Sequence, residues 1–145
     1  MKLLQLTALA LSLAACRPQE APAPLPTAPP CTSFAMIRWI GDSSGLRLAE
    51  VDTLQKLPAK PGEAAPEYAN TVPGFTRWTI APDARLTFHT LSVDSFGSFL
   101  FYESVGFDTL RAIFAPGASS RFHLMPFKII HSDTTISSIS EEYLP

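Results

Sequence analysis

From residue 34 onward, short apolar runs alternate with small clusters of glycine, proline, serine and aspartate. Runs at 34–40 (FAMIRWI), 74–81 (GFTRWTIA), 84–91 (ARLTFHTL), 95–103 (SFGSFLFYE) and 107–115 (FDTLRAIFA) are rich in aromatic and β-branched residues. Turn clusters such as GDSSG, APD, SVG and APGASS lie between them, so each run predicts a strand. At 107–115, Leu110, Ala112 and Phe114 share one face and Thr109 and Arg111 the other, a period of two with one side buried. The 95–103 run is apolar on both faces, which predicts a central strand. RFHLM and FKIIH add one or two more, interrupted at Pro126.

Two segments carry both periods. At 45–57, Leu46, Ala49 and Leu57 approach helical spacing while Leu46 and Leu48 alternate. At 132–144, Ile136, Ile139 and Tyr143 stand at i, i+3, i+7 behind a capping Asp133. The Thr, Ser and Ile content of the second argues for a strand, and both are read as strands. Residues 58–74 hold four prolines and predict a long exposed loop. The pattern describes an all-β domain over 34–145, a small antiparallel sandwich or barrel of about 7–8 strands.

The first 33 residues follow other rules. A positive start at Lys2, a short apolar run to Ala15 and small residues at its end describe a secretory signal peptide over 1–15. The run is too short to span a bilayer, which takes about 20 apolar residues. Leu13-Ala14-Ala15-Cys16 resembles the bacterial lipobox. The resemblance implies cleavage before Cys16, diacylglycerol on its thiol and a further acyl chain such as palmitate on its amine. Two or three acyl chains anchor stably where one would not. Arg17, rather than Asp, follows the cysteine, which implies the outer membrane by the sorting rule of enteric bacteria, with the domain facing the periplasm. Residues 16–33 then form a linker with prolines at 18, 22, 24, 26, 29 and 30. Proline favours extended geometry, so 17–30 reaches up to about 40 Å at about 3.1 Å per residue.

Charge removes some classes of function. Eleven basic and thirteen acidic residues are scattered without runs, for a net charge of −2, so nucleic acid is not an expected partner. Every aromatic residue lies from Phe34 onward and supplies core, Trp39 included. With Cys16 acylated, Cys31 has no partner within the chain and is expected as a buried free thiol.

The candidate chemistry is thin. Gly41-Asp42-Ser43-Ser44-Gly45 fits G-x-S-x-G and would make Ser43 the nucleophile of a hydrolase. The chain is too short for that fold, no histidine precedes His89, and five small polar residues between apolar runs make a turn. His123, His131 and Asp133 could ligate zinc, but the paired spacings are missing, and His89 stands apart. Asp followed by Ser or Thr recurs at Asp52, Asp94, Asp108 and Asp133; these read as turn-to-strand junctions rather than a calcium site. Glu141-Glu142 reads as a solvated tail. No cofactor fingerprint is present. Binding remains, with Tyr68 in the proline-rich loop and Trp78 as candidate recognition residues. The expected function is a non-enzymatic accessory lipoprotein of the envelope that binds a protein partner. The second reading is a module for a glycan, peptide or small apolar ligand; catalysis through Ser43 is the third.

Overall fold

A computed structural model describes residues 28–62, 65–118 and 120–142. The signal peptide, Cys16, most of the linker and Tyr143 lie outside the described residues. The elements in chain order are β1 (Cys31–Ser43), β2 (Leu46–Leu57), β3 (Glu67–Ala69), β4 (Thr76–Phe88), β5 (Glu103–Ser104), α1 (Phe107–Ile113), a 3₁₀ turn (Arg121–Leu124), β6 (Phe127–Ser132) and β7 (Thr135–Glu141).

Five of the seven strands close on themselves. β1 pairs with β2, β2 with β4, β4 with β7, β7 with β6, and β6 returns to β1. The β4–β7 pairing is parallel and the rest are antiparallel, so the barrel is mixed where the sequence predicts a purely antiparallel one. β3 extends the edge of β2, and β5 that of β4. A small all-β barrel domain with seven strands in all, five of them in the closed barrel, is the expected class.

The two-residue connections explain the register. Ser43 faces Leu46 across Ser44 and Gly45, whose φ values of 52° and 77° match the turn that suits the right-handed twist of a hairpin. The G-x-S-x-G match is this turn. Ser132 faces Thr135 in the second hairpin, where Asp133 takes the left-handed region that aspartate tolerates. The Ala-Pro-Asp cluster at 81–83 is not a chain reversal. β4 runs through it with a register shift between Ile80 and Arg85, one of the few settings that accommodate proline within a strand.

The core follows the period of two, with one step. Ala35 and Ile37 point inward, then Ile40, because Arg38 is an extra residue in a bulge. Ala49, Val51, Trp78, Ile80, Leu86, Phe88, Phe127, Ile129, Ile136 and Ile139 complete the barrel interior. One end is plugged by rings. Phe88 packs edge-on against Phe122 and Phe127 at 5.0 and 5.8 Å, and Phe114 against Phe127 at 5.7 Å.

Two predicted strands are corrected. The 107–115 run folds as α1 (Phe107–Ile113) with Phe114 at its C-cap, since Phe107, Leu110 and Phe114 also stand at i, i+3, i+7; Leu110 and Phe114 are fully buried. Asp108 in its first turn and Arg111 in its last suit the helix dipole. Residues 95–103 form no central strand. Residues 95–102 lie in an exposed loop between β4 and β5, and Glu103 opens β5. Among the described residues no helix is long and apolar enough to cross a membrane.

Candidate functional site

The bulge in β1 sets up the outer face of the barrel. Ile37 faces Val51 and Trp39 faces Glu50, so Arg38 and Trp39 together oppose a single residue of β2. Arg77 of β4 faces Glu50 from the other side. The Glu50 carboxylate therefore gathers two arginines. Arg38 donates from Nε and Nη2 to Oε2 at 3.1 and 2.6 Å, and Arg77 from Nε to Oε1 at 3.0 Å. Arg38 lies over the Phe75 ring at 4.2 Å and Arg77 over Trp39 at 5.9 Å. Two cations on one anion leave a surplus positive charge. Trp39 lies over Gly41, where a Cβ would meet its ring at 2.1 Å, so glycine is the floor of this aromatic face.

Hydrogen bonds from Arg38 and then Arg77 hold the Glu50 carboxyl below the usual carboxylate range. With the folded value depressed, its contribution to stability is present above the unfolded value of about 4.3 and is lost as pH falls through the folded one. In acid titration, the stability difference between wild type and Glu50→Gln is expected to shrink below that point. A difference unchanged down to the lowest pH would mean that the arginines do not act on Glu50.

Farther along the same face, beyond Met36, lies a cavity of about 380 Å³ lined by Met36, Leu54, Pro66, Tyr68, Leu124 and Pro126, with Glu67 and Asn70 at its edge. Arg38 follows Met36 by two residues, roughly 7 Å along the strand. Tyr68 is positioned twice. Its ring packs 5.5 Å from Phe34, and its hydroxyl donates to Glu142 Oε1 at 2.8 Å. Lys56 donates to the same oxygen at 2.6 Å and lies 4.6 Å over Phe34. Burial raises the Tyr68 phenol, with the Glu142 bond adding to it, while the Glu142 bond raises Lys56. For Glu142 itself burial pushes upward, but the bonds from Lys56 and Tyr68 outweigh it and the carboxyl falls below its usual range. Buried Asp52 pins the segment that crosses above, accepting from Asn70 Nδ2 at 2.7 Å and from the Gly74 amide at 3.2 Å.

The sequence-predicted residues fare unequally. Tyr68 lines the cavity, half-buried on the short strand β3 rather than exposed in a loop. Trp78 lies inside the barrel, 8% exposed, with its ring 4.4 Å from His131. Trp39, expected in the core, stands half-buried on the outer face. Cys31 is exposed rather than buried. Glu141 is buried and Glu142 half-buried, so the pair is no solvated tail. His131 bonds the Asp133 carbonyl at 2.7 Å and Ser33 at 2.9 Å, and among the described residues no group of three potential ligands assembles for a metal. The four Asp-Ser/Thr pairs occupy a strand, a loop, a helix and a hairpin. Sequence reasoning missed Arg38, Glu50 and Arg77. Only the cross-strand register brings them together, and no local spacing signals it.

Comparison of the chain with family models, with curated proteins and with solved structures finds no match.

Proposed function

We propose that the chain is a lipid-anchored, non-enzymatic module of the bacterial envelope that binds an extended segment of a protein partner across the outer face of β1, β2 and β4. The observation that carries this is the pairing of an apolar cavity with a pair of oriented arginines on one strand face. An extended peptide places side chains of one face about 7 Å apart. An apolar residue would enter beside Tyr68 while an acidic neighbour meets Arg38 and Arg77, whose planar forks suit carboxylates. The order of the barrel strands, with a helix between the third and fourth, is the arrangement of the OB-fold, whose ligand face crosses its second and third strands. Here those are β2 and β4.

That position also favours a second reading, a glycan or small apolar ligand at the same site. The cavity volume lies within the range of about 300–1,000 Å³ for such ligands.

Leu124 rims the cavity and is 81% exposed. A photo-crosslinking side chain at this position in intact cells is expected to capture one protein, and Arg38→Gln with Arg77→Gln to weaken the capture. Fractionation of the same cells is expected to find the wild type in membranes and Cys16→Ser released from them. No protein adduct at Leu124, together with a ligand-dependent change in Trp39 emission, would replace the first reading by the second.

A further inference from the structure

Among the described residues, six of the ten exposed large hydrophobic side chains lie in the loop between β4 and β5. Phe96 is 91% exposed, Tyr102 78%, Val93 55% and Leu100 46%. From Leu91 to Tyr102 the only charged side chain is Asp94. Patches of this kind mark interaction sites.

The loop has a fixed shape. Asp94 Oδ1 accepts the amides of Phe96 and Ser98 at 2.8 and 2.9 Å, the Asp94 amide donates to the Ser98 carbonyl at 2.8 Å, and the Gly97 amide to the Asp94 carbonyl at 3.1 Å. The Leu100 amide donates to the Ser92 carbonyl at 3.0 Å, and Val93 bridges Phe99. Phe96 thus stands at the apex of a turn in which the amides of Asp94, Phe96, Gly97 and Ser98 are bonded internally. Tyr102 adopts φ 62°, an uncommon value for a bulky residue, with its amide donating to His89 Nδ1 and its ring edge-on to the imidazole at 4.8 Å.

We propose that this loop is a second membrane contact, in which Phe96, Leu100 and Tyr102 enter the bilayer interface; this rests on the envelope placement proposed above. The contact is with the headgroup region, where water still reaches the backbone, and the amides of Phe96, Gly97 and Ser98 at the apex already have partners within the turn. Aromatic side chains settle at the headgroup level. Arg121, over the Phe99 ring at 5.5 Å, supplies a cation at the base of the loop, where lipid phosphates would lie. The linker allows the pose. Cys31 pairs with His131, while Phe127, four residues back along β6, faces Glu141, whose carboxylate holds His89 and Thr90 at the root of the loop. That separation is roughly 13 Å along the strand, well inside the reach of about 40 Å available to 17–30. A convex apex with one protruding ring suits a fluid surface better than a protein groove.

The test uses the full chain carrying Phe96→Trp, reconstituted in phosphatidylethanolamine–phosphatidylglycerol vesicles with brominated acyl chains. The expected result is a blue shift and a loss of Trp emission confined to that variant. The parent, with only Trp39 and Trp78, should be unaffected, and adding Leu100→Ser should reduce the quenching. Absence of selective quenching overturns the contact, whether or not the chain sediments with vesicles, and so does capture of a protein from that position without quenching. Sedimentation of the parent is read separately and reports the anchor at Cys16. A parent that stays in solution while the Phe96→Trp variant is quenched at high lipid overturns the anchor and supports the loop contact.

Discussion

Glu141→Ala is expected to cost the domain roughly 3 kcal/mol or more in urea unfolding, since each stranded buried donor costs about 1–3 kcal/mol. Glu141 is 2% exposed and its carboxylate is fully engaged. It accepts the His89 amide at 2.7 Å, the Thr90 amide at 2.9 Å and the Thr90 hydroxyl. These amides lie just past the end of β4, where no neighbouring strand takes them, so a side chain stands in for a missing strand. Removing it leaves two backbone donors in the interior. Glu141→Gln keeps one acceptor oxygen and should lose less. The same variants should expose the 91–102 loop to chymotrypsin faster than wild type, because His89 and Thr90 set its root. Equal cleavage rates would show that the loop is held from its other side.

Phe127→Ala is expected to cost about 3–5 kcal/mol, the range for deleting a buried phenylalanine ring. Phe127 is fully buried and touches two other rings of the plug, Phe88 and Phe114. It is also the register partner of both Ala35 and Glu141, so the hole would open where β1, β6 and β7 meet α1. With total stabilities of about 5–15 kcal/mol typical of such domains, either substitution removes a large share. The two sites are neighbours, and the double variant should lose less than the sum. Additive losses would mean that the plug and the Glu141 bonds act independently.

Much of the barrel is legible in the sequence because its strands obey one period. β1, β4 and β6 each contain an apolar run, β2 shows the Leu46/Leu48 alternation, β7 has the Thr, Ser and Ile content of a strand, and the Ser44-Gly45 turn is written in small residues. The errors share a cause. In 107–115 the periods of two and of about 3.6 coincide at Leu110 and Phe114, and only the open end of the barrel decides between them. In 95–103 apolarity suggests burial, yet those side chains face solvent. Trp39 faces outward, not into the core, because a one-residue bulge reverses which side of β1 faces out, and sequence alone does not reveal a bulge. Of the candidate site, Tyr68 is legible from its proline-rich context. The Glu50 cluster is not, since its members are distant in sequence and meet only through pairing.

The last strand has a consequence for the order of events during synthesis. β7 is inserted between β6 and β4 and, among the described strands, is the element that joins them. Until residue 141 has been made, the sheet is an open ribbon with β4 and β6 as unpaired edges, a form prone to pairing with other chains. Under the envelope placement proposed above, a chain engaged by the translocation machinery before residue 141 is made carries no closed domain to unfold. For such a chain, ring closure is a late, single event that waits for β7.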